Sequence, residues 1–308
     1  MKNNSRLLRS LPAILAFALS VLASSSLRAE DEKDDGKLRI IAFGAHPDDA
    51  EFQCGGSAAM WAKAGHHVKL VSVTNGDIGH WAMAGGPLAI RRTNEVKECA
   101  KRWGTTVQVL DIHDGELEPT LENRRTIARL IRDWKADLVL SHRPNDYHPD
   151  HRYTGILVQD AAFMVAVPFF VPDTKPLKKN PVFMYYPDRF TKPYPFEPTI
   201  TIAIDDIFEK KVHGIDALES QVYEGGALGS AETLIKRKAG DPVARKEILK
   251  QGWLRRNGRI ADNYRDSLIE WYGQDRGKAV KVAESFQLCE YGHRPSKAEL
   301  KQLFPFFD

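Results

Sequence analysis

Between Leu38 and Thr74 the chain runs strand, helix, strand, and that order restricts its fold more than any other feature. Leu38-Arg39-Ile40-Ile41-Ala42-Phe43 is short, apolar and ended by Gly44, as a buried strand is. Gly55-Gly56 reads as a tight turn into a helix over Ser57 to Ala64, stopped by Gly65. His67 to Thr74 alternates and is rich in valine, which predicts a second strand. Strands joined through a helix pair in parallel with a right-handed crossover. The rhythm continues with a helix over Leu88 to Trp103, a strand over Gln108 to Ile112 and a helix over Leu121 to Trp134. Asp137 to Ser141 is a fourth strand, and a helix then runs to about Val165. Such repeats predict an α/β fold with a doubly wound, mainly parallel, Rossmann-like sheet.

From Val167 the rhythm is lost. Prolines are frequent through Pro198, Thr199 to Ile204 alternates like a strand, and Asp205-Asp206 caps a helix running to about Tyr223. The rest reads as a C-terminal, partly helical elaboration rather than a second domain. At the other end, Lys2, Arg6 and Arg9 precede the apolar run Leu11 to Ala23, and Leu27-Arg28-Ala29 suits cleavage. That layout predicts a signal peptide over 1–29 and a charged linker over 30–36. Export to the periplasm or the extracellular space follows, with no stable membrane span after cleavage. Basic and acidic residues number 44 and 41 and are interspersed, so nothing calls for a nucleic-acid partner. The three cysteines, Cys54, Cys99 and Cys289, form no CxxC pair and read as small buried residues. The sequence assigns no oligomeric state.

Two segments carry the chemistry. His46-Pro47-Asp48-Asp49 follows the first strand, and His148-Pro149-Asp150-His151 follows the fourth. One copy alone reads equally well as a helix start whose acids complement the helix dipole. A second copy in the matching position favours a site, because open α/β sheets gather ligands at the carboxyl ends of their strands. His46 and Asp49, and likewise His148 and His151, are three apart and share a face of a turn. His46, Asp49 and His151 would give the two-histidine, one-carboxylate set of an open zinc site with a place left for water. Asp48 is then free to act as general base, His148 to donate a proton or stabilise an oxyanion, and Asp150 to orient the His148 ring. These ligands suit several divalent metals besides zinc.

At these residues the chain resembles the LmbE-like (PIG-L) family of zinc-dependent de-N-acetylases, marked by Ala-His-Pro-Asp-Asp and a later His-x-x-His. The resemblance implies zinc on His46, Asp49 and His151, Asp48 as base and His148 as transition-state stabiliser. Gly55-Gly56, Arg92-x-x-Glu95, Asp114-Gly115 and Ala283-Glu284-Ser285-Phe286 are further family-like features. The last of these implies that the domain, 37–308, carries an insertion at about 225–277. The implied substrate is an N-acetylglucosamine-type amino sugar or its glycan or glycoconjugate. Arg92, Asp114 and Arg143 are candidates for its rim. Each has a plainer reading: Arg92 as a partner of Glu95 or Glu98, Asp114 as a turn residue, and Arg143 as a partner of Asp146 or Asp150. His80 and Trp81, in the glycine-rich Asn75 to Pro87 stretch, are placed to stack on a sugar. His66, His67, His113, His142, His213 and His293 read as ordinary histidines. Two other functions compete: an amidase for a larger acyl or glucosamine conjugate, and a sugar- or nucleotide-binding module without turnover. The second lacks the GxGxxG that a dinucleotide site would place after the first strand.

Overall fold

A computed structural model describes residues 35–232 and 241–307. The expected signal peptide, and the linker up to residue 34, lie outside them. The described residues form a seven-stranded sheet in the order β3-β2-β1-β4-β5-β7-β6, five of whose strands the sequence predicts. These are β1 Arg39–Gly44, β2 His67–Ser72, β3 Thr106–Val109, β4 Leu138–Ser141, β5 Val182–Tyr185, β6 Ile200–Ala203 and β7 Ala283–Gly292. β1 pairs in parallel with β2 and β4, β2 with β3, and β4 with β5. β7 is antiparallel to both β5 and β6. The doubly wound, mainly parallel sheet is therefore the one the rhythm predicts.

Its two central strands are apolar over Ile40 to Phe43 and Leu138 to Leu140 because both faces are covered there. Ile40 and Ala42 of β1 and Leu138 and Leu140 of β4 face one core. Ile41, Phe43 and Val139 face the other. Helices α1 (Asp49–Lys63) and α2 (Gly85–Trp103) cover the first face, burying Trp61 and Trp103 completely. Helices α3 (Leu121–Trp134) and α4 (Pro149–Met164) cover the second through Ile127, Ile131, Leu157 and Ala161. Each large apolar side chain so buried contributes about 1.5–3 kcal/mol.

Three local expectations are corrected. α1 begins at Asp49, not at Ser57, so Gly55 and Gly56 are helical and form no turn. A Cβ on Gly55 would lie 2.4 Å from the Trp103 ring, and one on Gly56 would lie 2.9 Å from Glu284 Oε1. Close packing, not backbone freedom, requires the two glycines. β5, hemmed between Pro181 and Pro187, was not expected at all. The long helix expected from Asp205 is instead a single 3-10 turn over Asp205–Ile207, then α5 (Phe208–Ile215) and a one-turn α6 (Glu219–Val222).

Helices α7 (Pro242–Asn263), α8 (Arg265–Tyr272) and α9 (Gln274–Ala279) precede β7, and α10 (Lys297–Leu303) follows it. Glu284 of β7 accepts from the backbone N–H of Gly56 and of Ser57, each at 2.7 Å, and pairs with Lys211 Nζ at 2.6 Å. Lys211 also donates to Phe52 O at 3.1 Å, so β7, α5 and α1 meet at one buried ion pair. Among the described residues no helix is long and apolar enough to cross a membrane.

Candidate metal centre

β1 and β4 are neighbours in the sheet, yet their following helices leave to opposite faces. At such a switch point the two loops part and open a crevice at the strands' carboxyl ends. That places His46 beside the His148–His151 segment. The β1 loop is fixed by Thr74, whose N–H and Oγ1 both donate to Ala45 O, at 2.8 and 2.9 Å. Pro149 opens α4 and His148 caps it, with Nδ1 accepting from the Asp150 N–H at 3.2 Å.

Asp49 Oδ2 lies 3.3 Å from His46 Nδ1 and 3.4 Å from His151 Nε2. Tetrahedral ligands at the usual zinc distance of about 2.0–2.1 Å stand about 3.3 Å apart, so Asp49 Oδ2 stands at the spacing of a co-ligand from each of the two histidines. Three groups have ligand atoms within 4.8 Å of one another: His46–His148–His151, Asp49–His142–His151 and His46–Asp114–Asp150. The far nitrogens are held by carboxylates. His46 Nε2 meets Asp114 Oδ1 at 3.1 Å and Asp150 Oδ2 at 3.3 Å, and His151 Nδ1 meets Asp146 Oδ1 at 3.1 Å. Carboxylate behind imidazole is the arrangement that orients metal-binding histidines. Burial disfavours charge on His46, but Asp114, Asp150 and Asp49 outweigh it and raise its pKa well above the usual value. Burial works against the Asp49 anion as well, yet His151 and His142 hold its pKa well below the ordinary range. Asp49 is therefore an anion ready to ligate.

Asp48 points elsewhere. Its Oδ1 is 3.3 Å from Arg92 Nη2. Burial raises its pKa, Arg92 opposes this and Asp49 adds to it, and the net shift is upward, toward a stronger base. The His148 ring stands edge-on to His46 at 4.6 Å and tilted to His151 at 5.1 Å. Burial, then the charges of His46 and His151, lower its pKa. With Nδ1 accepting from the backbone, a neutral His148 carries its proton on Nε2 and is a donor.

The structure brings together His46, Asp48, Asp49, Asp114, His148, Asp150 and His151. It redistributes several roles. The Asp150 carboxylate meets His46 and the Gly115 N–H, at 2.6 Å, rather than the His148 ring. Arg92 is buried behind the site, donating to Gly76 O and Pro47 O, while Glu95 is taken by Arg91 and Ser220 and Glu98 by Arg102. Arg143 does not reach the site. It is 2 % exposed, pairs with Asp188 at 3.1 Å, donates to Tyr194 O and stacks on the Tyr194 ring. His80 and Trp81 are bound to Glu224, through its carboxylate and its carbonyl, so they clasp the segment after α6.

Sequence reading missed His142 and Asp146. His142 accepts from the Ala45 N–H, lies 3.3 Å from Asp49 Oδ2 and stacks on His151 at 4.3 Å. Its signal was position: it directly follows β4, as the site loop follows β1. Asp146 also accepts from the His148 N–H, and so ties the turn to the ligand it orients.

Residues 41–162 match a family profile described as PIG-L: GlcNAc-PI de-N-acetylase. Over 216 residues the chain is 28% identical to the diacetylchitobiose deacetylase of Thermococcus kodakarensis, covering 67% of this chain and 78% of that protein. It is 24% identical over 249 residues to the 4-oxalmesaconate hydratase of Pseudomonas putida, covering 77% and 96%. Among solved structures it resembles the N,N'-diacetylchitobiose deacetylase of Pyrococcus horikoshii, with a TM-score of 0.62, 21% identity and coverage of 89% and 92%. At that identity the likeness speaks for the fold.

Proposed function

We propose that this chain, whose residues 41–162 match the PIG-L family profile, is an LmbE-like metal-dependent hydrolase removing acetyl from an N-acetylglucosamine-type amino sugar or its conjugate. The observation that carries the reading is Asp49 Oδ2 within 3.3–3.4 Å of His46 Nδ1 and His151 Nε2, with Asp48 turned aside at Arg92. One carboxylate is spent on the ion and its neighbour is kept as a base.

A divalent ion, zinc by preference, held by His46, Asp49 and His151 would polarise the amide carbonyl and acidify a water. Asp48, beside the ligand set and outside it, would accept the proton of a water attacking the carbonyl carbon. Arg92 fixes the Asp48 carboxylate from behind, where solvent is excluded. His148 offers its Nε2–H to the carbonyl oxygen as charge builds there. The C–N bond then breaks, the nitrogen takes up a proton, and acetate and a free amine leave. Asp114, Asp150 and Asp146 hold the two histidine ligands in place. The basic and apolar N-terminal run supports export to the periplasm or beyond.

The test is acetate release from N-acetylglucosamine and diacetylchitobiose by purified protein, with and without chelator. Release should stop on chelation and return with zinc. It should fall by about 10²–10⁴-fold in Asp48→Ala, the usual contribution of a general base. Release that survives this substitution would overturn the base assignment. The hydratase relative marks a rival outcome: turnover of 4-oxalmesaconate with no acetate released from any amide.

A further inference from the structure

Helix α7 brings one cation to the edge of the centre that the chemistry above does not use. Trp253 and Asn257 anchor the helix, Trp253 by burial and Asn257 through Nδ2 donating to Ala283 O at 2.9 Å. Arg256, on the same side, lays its guanidinium 4.9 Å from the Trp253 ring centroid and 5.7 Å from that of Phe52. The Phe52 and Trp253 rings themselves pack at 5.0 Å. Phe52 lies in the first turn of α1, and its N–H donates to Asp48 O at 2.8 Å. Arg256 thus stands beside the turn that carries the base and a metal ligand.

That position is unfavourable for a cation unless an anion joins it. The N-terminal end of α1 has the positive end of the helix dipole. Lys211 lies close by but is neutralised by Glu284, at 2.6 Å. Arg256 has no hydrogen bond or ion pair with any described residue. The favourable charges that act on it most are those of Asp49 and Asp48, which are engaged with imidazoles and with Arg92. The Trp253 and Phe52 rings, tilted 50° to one another, both lie against the guanidinium and restrict where it can go, and a planar fork so placed suits an oxyanion. Half-buried, it still reaches solvent.

We propose that Arg256 is a specificity residue that binds an anionic group, a carboxylate or a phosphate, on the substrate. This rests on the site reading above and narrows it: the preferred amino sugar or conjugate is anionic. Zinc-loaded wild type, Arg256→Gln and Arg256→Lys are titrated by calorimetry with N-acetylglucosamine, its 1-phosphate and N-acetylmuramic acid. Thermal melting checks that each variant is folded. At least one anionic probe should bind wild type about tenfold or more tighter than the neutral sugar, as a charge-assisted hydrogen bond implies. The probe that gains identifies the anion. Arg256→Gln should bring the ratio near one and Arg256→Lys keep part of it. The wild-type preference should also shrink as salt rises, a measurement that needs no variant. Equal binding of all three probes by wild type, no binding of either anionic probe, or a preference kept by Arg256→Gln would each overturn the proposal. Acetate is assayed in parallel. Preference without acetate release sinks the deacetylase reading and leaves Arg256 standing; release without preference does the reverse.

Discussion

Asp49 Oδ2 faces three imidazoles, those of His46, His142 and His151, and no other atom of the centre is so placed among the described residues. His46 and His151 are in turn aimed by carboxylates outside the expected ligand set. Asp146 is the sharpest case, because His151 Nδ1 has it as partner at 3.1 Å. Asp146→Asn should therefore weaken metal affinity by about 10–100-fold, the usual effect of losing such a partner. Competition against a fluorescent chelator would measure it, and unchanged affinity would remove Asp146 from the centre. The metal loops were legible because each packs its ligands into four consecutive residues. His142 and Asp146 were not, since each is a lone residue whose importance comes from where β4 ends. Arg143 was misread for the opposite reason: near the site in sequence, it is claimed by Asp188, which follows the neighbouring strand β5 and is brought close only by the sheet.

Elements show the same division between local and tertiary causes. α3 was legible to the residue, since Thr120 caps it by accepting from the Asn123 N–H and its apolar stripe is regular. α1 was misplaced because Gly55-Gly56 looks like a turn until Trp103 is set against it. Gly55→Ala tests that account: a methyl 2.4 Å from the ring cannot be accommodated without shifting the helix. Overpacking of this kind costs about 1–3 kcal/mol, to be read from urea unfolding, although alanine is the better helix former. A stability gain would sink the packing argument. α10 carries a capping box, Ser296 with Glu299, and its acid gives a pH signature. The Ser296 N–H, then His293 and the Ser296 hydroxyl, hold Glu299 down to a pKa of about 2. A carboxylate depressed in the fold contributes stability that is complete above its unfolded pKa, about 4.3. That contribution is lost as pH falls through the folded value. Wild type should thus lose more stability than Glu299→Gln between about pH 4.5 and 2. Urea unfolding at stepped pH would show parallel curves if the box is inert.

On the scale of the whole chain, the late strand β7 is joined to the first helix through a fully buried ion pair. Lys211 and Glu284 are both wholly buried and 2.6 Å apart. Glu284 also takes the N–H groups of Gly56 and Ser57, and Lys211 takes Phe52 O. Desolvation lowers the Lys211 pKa although Glu284 works to raise it, so the pair survives through its hydrogen bonds as much as through attraction. Removing one partner leaves the other charge stranded. Lys211→Met should therefore cost about 3–5 kcal/mol, whereas adding Glu284→Gln to it should return part of that loss. The return is partial because one amide oxygen must serve two backbone donors. A thermal-denaturation double-mutant cycle measures the coupling directly. The consequence reaches the metal centre, because the tied segment of α1 starts three residues after Asp49. If β7 holds α1 in register with β1, Lys211→Met should weaken zinc binding as well as stability, though it lies outside the ligand set. Lower stability with unchanged zinc affinity would show that the ion pair braces the fold and leaves the positions of the ligands to their own loops.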